Sequence, residues 1–513
     1  MRAAGLWLFL LFQGLFGLVA AGWPWRVQDE AMVYFQAESL WERGSLALPQ
    51  VHPERLFGML GRDGTSRWAP YGPGVAFAAL PHHGLGRALA AAAGVPREPR
   101  GVDARGGVGP WTVVVGGVTA LAGSTWAALA VVGLWAAARA AGAPARRALW
   151  VAGLLGAGSY LLSYAGSLYS EPLAAALAAW CAWALLRARP GLAALLLGAL
   201  GLVKGTNLFL TPALMTLAWL DPDRPRGRRA AALLFGAAVL TLAAHAGWNE
   251  RRFGSMAEAG YTQEWLRMLA PGGAPVPFEL ATLPRGLFGL LLAPGKSLLL
   301  FAPPLLLLVP GARARLRGAP RLCACAGVAL LTGLVVWGSY FYWEGGYCHG
   351  PRHLLPALPL LLLPLARGPL PARPARVALV AGAAVGLMGA LVSFVEDQAL
   401  GPDKEHQDYY RILPPEEVGP GRPLNVYRLG YQPWTRYPGR ITAHLSQAEQ
   451  PPGEGLEAAR AHLVRLRAAQ LRTGVAPIPG WVPWAVWLPF PLLLAAGVLG
   501  VRHASRAATG ARG

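Results

Sequence analysis

The residues best suited to catalysis are two adjacent carboxylates, Asp29 and Glu30, which follow the first apolar stretch of the chain. Two neighbouring carboxylates repel each other, so that one of them can keep a raised pKa suited to accepting a proton. The alternative is an ordinary helix start, in which Asp29 caps a helix that begins near Ala31. The pair therefore predicts either a general base or a capped helix.

Other charged residues mark the ends of later apolar stretches. Glu171 precedes one of them, where it orients an acceptor or a metal ion, or is only a favourable acid near a helix start. The cations at such positions are Lys204, Arg251, Arg252, Lys296 and Arg352. Cations stabilise the negative charge that develops on a leaving phosphate, and arginine binds phosphate through two parallel hydrogen bonds. For each cation the alternative is a lipid-headgroup contact at a helix end, and for Lys204 it is also an ammonium that extends to the interface.

The histidines and cysteines do not predict a metal site. The 10 histidines show no ligand spacing such as His-x-x-x-His. Three of the four cysteines lie in apolar stretches, which favours packing as small hydrophobic residues over a disulfide framework. A divalent ion held by Asp29, Glu30 and Glu171 stays an open alternative.

The composition places the chain among membrane proteins. Of its 513 residues 54% are hydrophobic and only 14% are charged, compared with about 25% charged in soluble proteins. A transmembrane helix needs about 20 apolar residues, and about a dozen stretches are candidates, although several are short. They cover residues 4–22, 111–138, 150–163, 171–187, 190–203, 205–219, 229–248, 287–309, 321–342, 353–367, 377–396 and 481–501.

The charges predict which loops face the cytoplasm. Basic residues collect in cytoplasmic loops, and this rule favours a turn at 203–205 over one long helix through 190–220. In the resulting topology both termini are cytoplasmic, and the inner loops hold 20 of the 46 lysines and arginines but only two of the 26 acids, Asp221 and Asp223. The net charge of +20 is therefore a feature of topology and does not indicate a nucleic-acid partner.

Three long segments, 23–110, 249–286 and 397–480, fall on the outer side in this topology. Within the first, residues 72–93 form an apolar piece interrupted by basic side chains, which is typical of an interfacial or re-entrant helix. In the last, one face at 455–472 is apolar with helical spacing, and this favours a lid that lies on the membrane domain.

The chain is accordingly divided into three parts. Residues 1–396 form the transmembrane catalytic domain, 397–480 an outer loop or lid, and 481–513 the last transmembrane helix with a basic cytoplasmic tail. The excess of arginine over lysine and the many alanines are typical of a high-GC bacterial genome, so we expect a multi-pass protein of the bacterial inner membrane.

Short motifs on the predicted outer side follow one another in a familiar order. They are Tyr71-Gly72-Pro73-Gly74, Tyr169-Ser170-Glu171-Pro172, Leu202-Val203-Lys204-Gly205, Arg252-Phe253-Gly254-Ser255, Ala293-Pro294-Gly295-Lys296 and Gly350-Pro351-Arg352-His353-Leu354-Leu355-Pro356. With Asp29-Glu30, this order resembles the GT-C superfamily of polytopic glycosyltransferases, which includes protein O-mannosyltransferases and the aminoarabinose transferase of lipid A. The similarity extends from residue 1 to about residue 376.

The resemblance implies an all-α fold of about 12 transmembrane helices whose outer loops form the active site. It implies that Asp29 activates the acceptor, that Glu171 is the further acid of the second outer loop, and that Lys204 faces the lipid phosphate. In the aminoarabinose-transferase branch the Lys-Gly turn continues with proline, whereas this chain has Thr206, so the match at Lys204 is partial.

The implied activity is transfer of a hexosyl or pentosyl group, with inversion, from a polyprenyl-phosphate donor to an acceptor on the extracytoplasmic face. The partners are then the donor lipid, membrane lipids, and a glycan, lipid or protein acceptor that the sequence does not specify. A transporter or flippase of envelope precursors is the alternative. Such carriers place ionisable residues or broken helices near mid-membrane, whereas here Glu171 and Glu396 lie at predicted outer ends.

Overall fold

The computed structural model describes residues 2–20, 28–48, 58–97, 109–260, 277–345, 348–391, 479 and 481–510. These residues are mostly helical, as the apolar stretches predicted. A two-stranded antiparallel hairpin, β1 (Met59–Leu60) and β2 (Arg67–Trp68), pairs Met59 with Trp68 and Leu60 with Arg67 in the first outer segment.

The helices fall into an amino-terminal and a carboxy-terminal set. The first set is α1 (Arg2–Val19), α2 (Gln28–Arg43), α3 (Gly74–Ala92), α4 (Pro110–Ala120), α5 (Ala122–Ala140), α6 (Ala145–Gly156), α7 (Leu161–Tyr164), α8 (Ser170–Leu186), α9 (Pro190–Val203), α10 (Thr211–Trp219) and α11 (Arg224–Phe253). The second set is α12 (Leu283–Leu292), α13 (Leu298–Phe301), α14 (Ala312–Gly318), α15 (Pro320–Gly338), α16 (Leu358–Leu362), α17 (Ala372–Leu391), α18 (Val482–Trp487) and α19 (Pro489–Gly510). Short 3₁₀ helices are Gly205–Leu210, Leu280–Thr282, Pro303–Leu308, Arg352–Ala357 and Leu363–Ala366.

The described residues contain five helices that are long and apolar enough to cross a membrane. They are Pro110–Ala140, Arg224–Phe253, Pro320–Gly338, Ala372–Leu391 and Trp484–Ala504. Five further apolar helices are shorter: Ala3–Val19, Ser170–Leu186, Pro190–Val203, Leu280–Leu292 and Arg352–Ala366. The apolar helical architecture agrees with the prediction, while a count of about 12 spans is not established.

The structure agrees with the predicted end of one span and interrupts another. The helix α9 ends at Val203, where the charge argument expected the chain to turn. The predicted span 287–309 is instead interrupted, because α12 ends at Leu292 and the next helical residues begin at Leu298. The interruption carries Pro294, Gly295 and the buried Lys296, and proline and glycine are poor residues for a helix interior.

The two ends of the chain meet through glycine contacts between α1 and α19. A Cβ atom added at Gly14 would lie 2.3 Å from the backbone nitrogen of Leu494, and one added at Gly497 would lie 2.2 Å from that of Leu11. Small residues let helix backbones approach closely, which strengthens packing where lipid provides no hydrophobic driving force. The amino-terminal helix is thus part of the helical core.

Several loops that were predicted to face the cytoplasm contact one another. Asp221 lies 2.6 Å from the guanidinium of Arg226, in the first turn of α11, and 3.0 Å from that of Arg321, in the first turn of α15. The buried Arg315 donates to the carbonyls of Pro310 and Pro369. These contacts bring together the connections around residues 221, 310–321 and 369, which supports their assignment to a common side.

Most of the predicted outer lid lies outside the described residues. Only Pro479 of the segment 397–480 is described, so the predicted helix at 455–472 and the division of the chain into domains stay predictions. The apolar piece at 72–93 is described and forms the helix α3, which packs against α2 and α4.

Candidate active site

The carboxylate pair lies in the first turn of α2. This helix begins at Gln28, so Asp29 is not the residue that caps a helix beginning near Ala31. Both acids occupy the turn in which the helix dipole stabilises negative charge. Glu30 is 1% exposed, whereas the side chain of Asp29 is 32% exposed. Of the two carboxylates, Asp29 is therefore the one that a substrate can reach.

Asp29 is paired with the arginine of the Gly350–Pro356 motif. The Nη1 atom of Arg352 donates to Oδ2 of Asp29 over 3.4 Å, although the two residues are more than 300 positions apart in the chain. The guanidinium also stacks on Tyr169, with 5.0 Å between its central carbon and the ring centroid. An arginine fixed by one carboxylate and one aromatic ring keeps further N–H groups available for an anion.

Two buried tyrosines hold the loop that leads into Arg352. The hydroxyl of Tyr160 donates to the carbonyl of Pro351 over 3.1 Å, and that of Tyr164 donates to the carbonyl of His349 over 2.9 Å. The chain turns at Gly350, whose φ of +71° favours glycine. The orientation of Arg352 is thus fixed by its backbone as well as by its side-chain contacts.

Glu171 and Lys204 complete the group around Asp29 and Arg352. Glu171 lies in the first turn of α8, is 4% exposed, and accepts a hydrogen bond from Ser170 over 3.3 Å. Lys204 follows the last residue of α9 and interacts electrostatically with Glu171, Arg352 and Asp29. The ammonium of Lys204 forms no ion pair or hydrogen bond within the described ranges, and it lies 5.4 Å from the centroid of the Trp337 indole.

The first outer segment packs directly on the end of α9 that carries Lys204. A Cβ atom at Gly72 would lie 2.1 Å from the carbonyl oxygen of Leu202, and one at Gly74 would lie 2.8 Å from the backbone nitrogen of Val203. Two of the motifs recognised in the sequence are therefore in contact, and the glycines allow the two backbones to approach.

Arg252 holds this outer segment in place. Its side chain is 1% exposed and donates to the carbonyl of Ala69 and to the side-chain oxygen of Asn249, the latter over 2.7 Å. A guanidinium with these partners has a structural role. Its neighbour Arg251 is exposed, and no contact in the described residues joins it to Asp29 or Arg352.

Lys296 lies within the interruption between α12 and α13 and is 1% exposed. Its ammonium donates to the carbonyl of Cys348 over 3.0 Å and lies 3.1 Å from the sulfur of the same residue. Nearby, burial raises the pKa of Glu344 above its ordinary value, while the charges of Arg285 and Lys296 act in the opposite direction. The hydrogen bonds of Lys296 are thus used to hold Cys348, in the loop before Arg352.

The sequence did not single out His353 as part of the site. Its ring stacks on Trp337 with 4.1 Å between centroids and an angle of 8°, and it interacts electrostatically with Lys204, Arg352 and Lys296. Trp337 lies in α15, outside the short sequence motifs, and no characteristic spacing links it to His353, so only the folded chain brings the two together.

The described residues contain no group of three or more His, Cys, Asp or Glu side chains placed to hold a metal ion. Asp29, Glu30 and Glu171 therefore do not form a ready ligand set in this conformation.

These features define a polytopic helical protein in which acids and cations from distant motifs meet at the ends of apolar helices. No protein-family profile matches the chain, and no curated protein matches it. A solved structure, ArnT from Cupriavidus metallidurans bound to undecaprenyl phosphate, is similar with 15% identity and a TM-score of 0.46. The similarity covers 95% of this chain and 75% of that one.

Proposed function

We propose that this chain is an integral membrane glycosyltransferase that moves a sugar from a polyprenyl-phosphate donor to an acceptor on the extracytoplasmic face. The observation that carries the proposal is the Asp29–Arg352 pair, with Glu171 and the ammonium of Lys204 close enough to interact with it electrostatically. This ammonium has no ion-pair partner among the described residues. Asp29 offers a reachable base, and the two cations suit a phosphate. A transfer from a phosphate-linked sugar requires these two functions.

The proposed reaction is a single in-line displacement. Asp29 accepts the proton of an acceptor hydroxyl or amine, and the freed lone pair attacks the anomeric carbon. The bond from this carbon to the phosphate oxygen breaks, and the polyprenyl phosphate leaves with the electron pair. The sugar passes through an oxocarbenium-like state and its anomeric configuration is inverted. A phosphate is already a good leaving group, so the cations only need to stabilise its developing charge.

The geometry divides the predicted cations by role. Lys204 and Arg352 are proposed to hold the donor phosphate, because both interact with Asp29 and keep donors available. Arg252 and Lys296 are proposed to support the site, since their donors are engaged by the protein itself. Glu171 is proposed to orient Lys204 and Arg352, or the acceptor, and buried Glu30 to stabilise the start of α2.

The contact between Asp29 and Arg352 in the free protein bears on the order of donor binding and acceptor deprotonation. While the guanidinium of Arg352 donates to Oδ2 of Asp29, that oxygen is engaged and is not free to receive the proton of an acceptor. A donor phosphate competes for the same guanidinium and so releases Asp29. We therefore propose that the donor binds before the acceptor is deprotonated.

The test is donor turnover by purified protein in lipid nanodiscs, supplied with a panel of polyprenyl-phosphate sugars and an envelope extract as the source of acceptor. Release of polyprenyl phosphate is followed by mass spectrometry, so the acceptor need not be known. We expect Asp29→Asn to lower turnover by about 10²–10⁴-fold, the usual contribution of a general base. Asp63→Asn is the matched control, because Asp63 belongs to an exposed turn of the same outer segment. Undiminished turnover by folded Asp29→Asn protein removes the assignment.

A transporter is the rival function, and the interrupted helix with buried Lys296 is the observation in its favour, since many carriers bind substrate at broken helices. The two functions separate in proteoliposomes loaded with the donor on one side. A transferase cleaves the donor on the outer face without moving it across, whereas a flippase moves intact donor and releases no polyprenyl phosphate.

A further inference from the structure

His353 is a buried residue of the site whose polar atoms are not accounted for by its described neighbours. It is 5% exposed, and neither Nδ1 nor Nε2 has a hydrogen-bond partner within the part of the chain that the structure describes. Buried polar groups are nearly always hydrogen-bonded, so two nitrogens on one buried ring that find no partner among the described residues indicate a partner beyond them.

Aromatic packing holds the ring without using these nitrogens. One face of the imidazole lies on Trp337, and the ring of Tyr340 meets it at 82° with 6.0 Å between centroids. The orientation of His353 is therefore fixed in advance, which lowers the entropic cost of a hydrogen bond to a ligand.

The neighbours of His353 indicate the charge of that ligand. Lys204 lies against the same indole as His353, and a Cβ added at Gly345 would lie 3.2 Å from both Nε2 of His353 and Cγ of Arg352. The charges of Lys204, Arg352 and Lys296 all act on the ring. In every protonation state of imidazole except the anion, at least one ring nitrogen is a donor. A donor surrounded by cations suits the oxygen of an anion.

We propose that His353 is a further substrate-binding residue, which donates a hydrogen bond to a phosphate oxygen of the donor lipid held by Lys204 and Arg352. This inference rests on the proposed function. The indole of Trp337 then serves as a common platform that aligns Lys204 and His353 on one phosphate.

The test measures binding of a sugar-free polyprenyl phosphate to the full-length protein in nanodiscs, with the matching polyprenol as the lipid control. His353→Phe keeps the stacking on Trp337 and removes both nitrogens, and His353→Gln restores a donor. A hydrogen bond to a charged group predicts that His353→Phe weakens binding about tenfold or more, while His353→Gln stays within about threefold of the unchanged chain. Polyprenol binding should not change in either variant.

Each outcome has a separate meaning. If the unchanged chain does not prefer polyprenyl phosphate to polyprenol, the proposed function fails, whatever His353 does. If the unchanged chain shows that preference and His353→Phe binds equally well, the role of His353 is overturned. Equal losses in His353→Phe and His353→Gln also overturn it, since they point to ring packing. Thermal unfolding is measured for each variant, and His353→Leu replaces His353→Phe if the latter does not fold.

Discussion

The two halves of α2 carry acids with opposite kinds of surroundings. In the second half, Glu38 lies 2.6 Å from Nε2 of His83 and 2.9 Å from the guanidinium of Arg87, which also lies 3.0 Å from Glu42. In the first turn, the partly exposed Asp29 has one long ion-pair contact among the described residues, with Arg352. One helix thus carries both a network of paired acids and cations, at Glu38 and Glu42, and an incompletely paired acid, at Asp29.

This difference separates structure from function. We call Glu38, Glu42, His83 and Arg87 the clamp. Its side chains pair with one another, so the network stabilises the packing of α2 on α3 and leaves few hydrogen-bonding groups for a ligand. Around Asp29, by contrast, neither the ammonium of Lys204 nor the two ring nitrogens of His353 have a hydrogen-bond or ion-pair partner among the described residues. Unused hydrogen-bonding capacity that the fold maintains at a buried position is a mark of a binding site.

Among the cations, the largest effect is expected from Arg352→Gln. This change removes the cation that contacts Asp29 and is proposed to hold the phosphate, so turnover should fall by about 10³-fold, as for other groups that stabilise transition-state charge. The matched control is Arg251→Gln, which changes an exposed arginine with no described contact to the site. Similar losses in both variants, measured as polyprenyl phosphate release, would contradict the division of the cations by role.

A smaller effect is expected from Lys204→Met. The methionine keeps the length of the side chain and its packing on Trp337 but removes the charge, so the KM for the donor should rise about tenfold or more. Lys204→Arg, which keeps the charge, should recover most of this loss. A loss that appears only in kcat, with an unchanged donor KM, would indicate that Lys204 does not bind the donor phosphate in the ground state.

Arg252→Lys should affect stability more than turnover. Lysine cannot reproduce the two-sided contact of the buried guanidinium with Ala69 and Asn249, so the free energy of unfolding should fall by about 2–3 kcal/mol. Unfolding by denaturant in mixed micelles measures this difference. If the folded variant loses donor affinity as strongly as Lys204→Met, then Arg252 contacts the donor, as the sequence first suggested.

The sequence predicted the fold better than the site. Apolar stretches and the placement of arginines are local or additive properties, so they predicted a polytopic helical protein and the end of α9 near Lys204. Short motifs such as Gly72-Pro73-Gly74 marked places where backbones approach closely, and the contact with Leu202 explains their glycines. The number of spans was harder to predict, because Pro294 and Gly295 interrupt an otherwise apolar stretch.

The partners of each charged residue could not be predicted in the same way. Arg251 and Arg252 are adjacent and look equivalent in the sequence, yet one is exposed and the other is buried against Ala69. Likewise, the stacking of His353 on Trp337 depends on how α15 meets the 3₁₀ helix Arg352–Ala357. Such pairings follow from tertiary packing and leave no pattern in a single sequence.

The smallest expected effect concerns the clamp, and it appears as a dependence of stability on pH. Burial raises the pKa of Glu38, but contact with His83 and the charges of His83 and Arg87 outweigh it, so its pKa in the folded chain lies below the ordinary 4.5. A carboxylate with a lowered pKa stabilises the fold above its unfolded-state pKa, and this contribution disappears as the pH falls through the folded-state value. Glu38→Gln should therefore destabilise the chain by about 1 kcal/mol near pH 7, and the difference should shrink below about pH 4.5.

Turnover distinguishes this clamp from the site on the same helix. Because Glu38→Gln alters only the packing of α2 on α3, donor KM should stay within about twofold of the unchanged chain at a temperature where the variant is folded. Unfolding measured from pH 7 down to pH 3.5 tests the stability change against the unchanged chain. A difference that grows as the pH falls would reverse the expected sign. A loss of turnover comparable to that of Asp29→Asn would show that the two halves of α2 act as one unit, which the separation of their contacts argues against.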